Sequence, residues 1–217
     1  MSKSFRHLRR GISGALTRNV LYYNPVLTWA LGICTIVAAA TTLRNGWIIS
    51  QVFAMTMIPV CLLSSAFGGK MPRYIRAAVI PLLSAVFYTI AIMLLRQQYG
   101  AWTTLFRYFL PLMAVNSLVL SRGVRYAPRQ SLLVALLDAV SCVIGFAVTA
   151  CAVGAVRELL VNGLLLGRPV HMAGVPFFGF IVLGFLAAGA RAARLSYEKR
   201  AKAARIYAEK RKRGGTT

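Results

Sequence analysis

The chain has 217 residues, of which 58% are hydrophobic and 14% charged, with a mean hydropathy of +0.66. That composition excludes a water-soluble globular domain. Its 26 Lys and Arg against four acids give a net charge of +22, yet the bases punctuate long apolar runs or crowd the two ends, which excludes a folded nucleic-acid-binding face.

The first twenty residues carry Lys3, Arg6, Arg9, Arg10 and Arg18 but no apolar core of about 7–15 residues ending in a small-residue cleavage site, so a cleaved signal is not expected. Charge-free runs follow in order: Asn19–Leu43, Asn45–Gly69 and Ala77–Leu95, of 25, 25 and 19 residues. Each is long enough for a helix crossing a hydrocarbon core, which takes about 20 residues. Next come Tyr108–Ser121 with 14 residues, Gln130–Val156 with 27 and interrupted by Asp138, and Pro169–Ala190 with 22. The expected fold class is therefore an all-α integral membrane protein of six transmembrane segments, the fourth of them short. A basic head (1–20) and a basic tail (196–217) flank a membrane domain over residues 21–195.

If Met1 is cytoplasmic, 21 of the 26 bases fall inside and five (Arg44, Arg96, Arg107, Arg157, Arg168) outside. Both termini are thus expected in the cytoplasm, in a bacterial inner membrane. The tail from Arg191 to Arg213 has helix-forming composition and suits anionic headgroups, each base near the surface contributing about 1 kcal/mol; a solvated retention charge without a specific partner is the plainer reading.

Cys34, Cys61, Cys142 and Cys151 all lie in apolar runs, which makes a disulfide framework improbable. Cys34 stands apart because Pro25 and Gly32 interrupt its run, Asn24-Pro25-Val26-Leu27-Thr28-Trp29-Ala30-Leu31-Gly32-Ile33-Cys34. A broken helix survives in a bilayer only where its freed backbone groups are buried in protein or line a cavity. The fourth segment repeats the interruption with Pro111 and the polar pair Asn116-Ser117. Segments one and four correspond if the chain is two three-span repeats, about 21–97 and 104–195, and an odd number of spans makes the repeats inverted. Matching interrupted segments point to a site at the membrane midplane; two ordinary kinked helices are the alternative.

Asp138 is an acid within an apolar span, and Arg157 and Glu158 close the same run. An ionisable group at membrane depth should face the bundle interior, as part of an ion pathway or as a structural pair. The two histidines, His7 and His171, occupy the head and the start of the last segment, and no phosphate loop, nucleotide fingerprint or Ser/His/Asp set occurs.

These residues carry a resemblance. Asn24-Pro25-Val26-Leu27 with Leu31-Gly32-Ile33-Cys34, Phe109-Leu110-Pro111-Leu112 with Asn116-Ser117, Leu137-Asp138, Arg157-Glu158-Leu159 with Asn162-Gly163, and Pro176-Phe177-Phe178-Gly179 resemble the paired six-span subunits of the Rnf and Nqr ion-translocating oxidoreductases. The likeness covers roughly residues 20–200 and is closer to the RnfE/NqrD type than to its inverted partner. It implies a subunit packed against a paralogue of opposite membrane orientation. Half-helices of both would meet at the midplane, where their cysteines hold a shared [2Fe–2S] centre. Flavin-bearing and ferredoxin-like partner subunits would do the NAD and ferredoxin chemistry, coupled to Na⁺ or H⁺ movement.

Cys34 matches the first family cysteine, whereas Ser117 stands where the family pattern has the second. Three outcomes follow: a cluster held by three thiolates and Ser117, a cluster with another ligand in its place, or a relative without the cluster. A serine oxygen is a harder, more basic ligand than a thiolate. Ser13-Gly14-Ala15-Leu16 stops short of the family's flavin-attachment pattern, so no flavin is expected on this chain. The competing function is a cofactor-free membrane transport or scaffold protein on the same fold.

Overall fold

A backbone in hydrocarbon has no water to bond, so a charge-free apolar run closes its N–H and C=O groups internally as helix. The computed structural model describes residues 25–99, 110–163 and 170–214, and among them four helices are long and apolar enough to cross a membrane. Two short helices come first: α1 (Pro25–Trp29) and α2 (Ile33–Ala39). The long α3 (Leu43–Phe67) and α4 (Arg73–Tyr99) follow, then a single turn, α5 (Ser117–Ser121). The long α6 (Leu132–Val161) and α7 (Pro176–Gly214) complete the order. The shortest long helix, with 25 residues, is about 37 Å at 1.5 Å per residue, enough for the bilayer core.

The four long helices account for the second, third, fifth and sixth expected segments. The last begins at Pro176, where a ring without an N–H is best tolerated, and runs on past residue 195 to Gly214 without a break. The first and fourth segments are broken, as expected from their Pro, Gly and Asn content. In the first, the break lies at Ala30 and Gly32, left-handed at φ 56° and 77°, whereas Pro25 opens α1. In the fourth, a 3₁₀ turn (Leu110–Met113) precedes Asn116, which caps α5, and a π turn (Arg122–Tyr126) follows. The head through residue 20, with Ser13-Gly14-Ala15-Leu16, lies outside the described residues.

The core forms where α3 and α6 cross. Phe53 stacks on Phe146 with centroids 4.2 Å apart, and Ile49, Val52, Met57, Ala150 and Val153 are buried around them. Gly154 lets the helices close: a Cβ there would strike the backbone of Thr42. α4 and α7 lie outside this pair and expose Leu82, Met93, Phe177 and Phe185, surface that suits lipid or other membrane subunits.

The two basic connections share one end of the bundle. Ser64 Oγ donates to the Gly123 carbonyl and Ser65 Oγ to that of Gln130 (2.9 Å), while Arg76 donates to the Gly68 carbonyl at 2.8 Å. Lys70, Arg73 and Arg76 thus stand beside the consecutive turns bearing Arg122, Arg125 and Arg129. The link Thr41–Thr42, the C-terminus of α6 and a 3₁₀ turn (His171–Gly174) make up the opposite end.

Candidate functional site

The two broken segments meet at their breaks. Left-handed Gly32 precedes α2, and its N–H donates to Ser117 Oγ at 2.9 Å, across 85 residues of sequence. Behind that bond, Thr35 Oγ1 donates to the Gly32 carbonyl at 2.8 Å and the Asn116 amide nitrogen approaches Thr35 Oγ1 at 3.4 Å. Asn116 Oδ1 accepts the Leu118 N–H at 2.9 Å and so caps α5. The start of one half-helix is therefore fastened to the start of the other. Gly32 is required twice over, by its φ and by space: a Cβ would lie 3.1 Å from Asn116 Oδ1.

Thr35 and Asn116 are buried, whereas Cys34 and Ser117 are exposed. The chain thus presents a thiol and a hydroxyl on the two joined half-helix starts. Both are open to a neighbour. Among the described residues no three His, Cys, Asp or Glu side chains converge as a metal site. Cys61 and Cys142 are buried within α3 and α6, and all four cysteines are free thiols.

The other singled-out residues divide between the two ends of α6. Asp138, in its second turn, pairs with Arg122 of the π turn at 3.3 Å, and the Arg122 guanidinium lies over the Tyr126 ring, 5.1 Å from its centroid. Burial first, then the Asp138 carboxylate, raises the Tyr126 phenol above its ordinary range.

Arg157 and Glu158 stand at the far end, about 30 Å along the helix. Arg157 is fully buried without a carboxylate: its Nη1 donates to Val37 and Ala40 carbonyls at 2.9 and 3.1 Å, its Nε to Ala173 at 3.0 Å, and its Nη2 to Gly174 and Val175 at 2.9 and 3.1 Å. Glu158 points elsewhere. Its Oε2 accepts the Leu43 N–H at 2.8 Å, taking one of the free donors at the start of α3. Adjacent in sequence, the two side chains serve different backbones and do not pair with each other.

Reasoning from sequence missed the Arg122–Asp138 contact and the Arg157 clamp. Charge at membrane depth flagged all three α6 residues, but the acceptors of Arg157 are backbone carbonyls at helix ends near residues 40 and 174, and backbone acceptors leave no side-chain signature.

Residues 12–187 match a family of known membrane proteins, described as Rnf-Nqr subunit, membrane protein. The chain belongs to the Rnf-Nqr family. Over 179 residues this family member is 28% identical to the E subunit of the Na(+)-translocating ferredoxin:NAD(+) oxidoreductase complex of Acetobacterium woodii, covering 79% of this chain and 91% of that one. It is 27% identical over 187 residues to the E subunit of the ion-translocating oxidoreductase complex of Shewanella sp. (strain W3-18-1), 76% of this chain and 80% of the relative. The protein of the same name from Methanosarcina acetivorans is 27% identical over 148 residues, 68% and 70% of the two chains. With four long apolar helices, this Rnf-Nqr family member is a multi-pass membrane protein.

Proposed function

We propose that this chain is the E-type membrane subunit of an Rnf electron-transport complex. It spans the bilayer six times as two inverted three-span repeats with both termini cytoplasmic, and packs against a paralogue of opposite orientation. Electrons pass through their shared site while partner subunits carry out ferredoxin and NAD chemistry, coupled to movement of Na⁺ or H⁺. One observation carries the reading: the Gly32 N–H to Ser117 Oγ bond joins the interrupted first and fourth segments at corresponding positions of the two halves. Orientation rests on the 21 bases assigned to one side and on the two basic connections sharing one end.

A [2Fe–2S] centre takes four protein ligands, commonly thiolates, so this chain can supply half of a site and a partner the rest. Cys34 fits that task, being an exposed thiol in the first turn of a half-helix. Ser117 fits it less well, because its oxygen is a hard donor and already accepts the Gly32 N–H. Bound there, the centre would supply one-electron transfer. What the chain itself contributes is position: the Gly32–Ser117 bond and the Asn116 cap fix the two ligand-bearing turns relative to one another.

The test is iron content and electron paramagnetic resonance of the dithionite-reduced complex from its native membrane, set against Cys34→Ala. A rhombic two-iron signal lost in the variant is the expected result. No signal beyond that of the soluble ferredoxin-like subunits would overturn the cluster. That outcome favours the second reading, a cofactor-free transport or scaffold protein, in which the Ser117 hydroxyl serves as a structural acceptor for Gly32.

A further inference from the structure

The Arg122 end of the bundle holds a cavity of about 260 Å³ lined by Trp29, Leu31, Ser121, Arg122, Arg125 and Tyr126. It exists because both broken segments contribute to it. The left-handed Ala30 ends α1 and leaves Trp29 73% exposed, while the π turn after α5 places Arg122, Arg125 and Tyr126 on the facing wall. Its polar side has a fixed and a free cation. Arg122 is held by Asp138 and by the Tyr126 ring, which use only part of its five-donor fork. Arg125 is exposed, and no ion pair or side-chain hydrogen bond engages its guanidinium among the described residues.

We propose that this cavity binds the headgroup of an anionic phospholipid. The Arg122 and Arg125 guanidinium groups and the Ser121 hydroxyl face the phosphate, and Trp29 and Leu31 line the glycerol and upper acyl chains. Three features select a lipid over a soluble anion. Against Arg122 and Arg125 in the π turn and Arg129 in the 3₁₀ turn that follows it, a single acid, Asp138, makes contact among the described residues. The site shares its end with Lys70, Arg73 and Arg76, the end that the charge bias assigns to the cytoplasmic leaflet and its anionic lipids. An exposed indole beside a guanidinium pair is amphipathic in the sense of a membrane-interface belt, with an apolar wall that a free phosphate would leave unused. The site does not depend on the iron reading, since none of its residues is Cys34 or Ser117.

The complex, purified in mild detergent and depleted of lipid, is titrated with phosphatidylglycerol or phosphatidylcholine, and retained lipid is read by native mass spectrometry. The site should keep phosphatidylglycerol in preference to phosphatidylcholine. Arg125→Gln should weaken retention about fivefold, the loss of one base near an anionic headgroup. Trp29→Ala, which leaves the charge untouched, should weaken it as well, and Arg73→Gln at the same end should not. Equal retention of both lipids, equal loss in Arg73→Gln, or displacement by millimolar inorganic phosphate would overturn the proposal. So would an Arg125→Gln complex that keeps its lipid but loses one of its other chains, which would make the cavity a protein contact.

Discussion

Two arginines at opposite ends of α6, Arg122 packed against its start and Arg157 carried near its end, solve the problem of a cation at membrane depth in different ways. Arg122 meets a carboxylate and an aromatic face and stays partly open, with 26% of its side chain exposed. Arg157 is closed off entirely and meets five backbone carbonyls. A carboxylate partner makes a local pair. Carbonyls at Val37 and Ala40 on one side and Ala173 to Val175 on the other make a clamp, because they lie where α2 ends and where the turn before α7 leaves carbonyls open to a side-chain donor, although Val175 also accepts the Phe178 N–H. A charge in a membrane segment therefore need not be a path for ions: where helices are interrupted, it can be the group that replaces the missing helical hydrogen bonds.

Removing the clamp should have the largest effect. Arg157→Met keeps the apolar volume but leaves several buried carbonyls unbonded, each costing about 1–3 kcal/mol, so a loss of more than about 3 kcal/mol is expected. Thermal unfolding of the purified complex, and the yield of intact complex from membranes, would show it; a variant that melts with the wild type would reduce the clamp to a bystander.

At the other end the expected cost is smaller. Asp138→Asn weakens a partly exposed pair by about 1–2 kcal/mol, and Arg122 retains the Tyr126 face. Assembly should survive, and ion transport coupled to electron flow should fall if Asp138 belongs to the ion pathway. Transport at the wild-type rate in an intact complex would take Asp138 out of that pathway and leave the two ends alike, both structural.

The smallest effects are expected at Glu158, and they separate charge from capping. Glu158→Ala removes the acceptor for the Leu43 N–H and should cost about 1 kcal/mol, whereas Glu158→Gln keeps an acceptor oxygen and should cost only a few tenths. Melting temperatures unchanged from the wild type in both variants would show that the cap contributes nothing. Equal losses in the two would show that the charge near the helix start matters more than the bond.

Some of this was legible in the residues. Apolar runs between charges place three of the four long helices to within about five residues at each end, because the bilayer's thickness and its lack of water act on every residue of a run alike, whereas the last helix starts only at Pro176 and continues through the charged tail to Gly214. Gly32 and Asn116-Ser117 announce the two breaks, since glycine admits a left-handed φ and asparagine prefers a helix cap. The likeness to known family motifs singled out Cys34 and Ser117 before any geometry was at hand.

Other features came only with the fold. That Gly32 bonds Ser117, that Arg122 reaches Asp138 and that Arg157 and Glu158 part company are contacts between residues far apart in the chain or directed at backbone atoms. Where the membrane helices lie, where they break and which end collects positive charge could be read from the residues alone, because those follow from local composition and a uniform solvent. Which freed carbonyl meets which guanidinium, and which wall faces Trp29, was left to the tertiary structure, because hydrogen bonds and cavities depend on how separate segments are placed against one another.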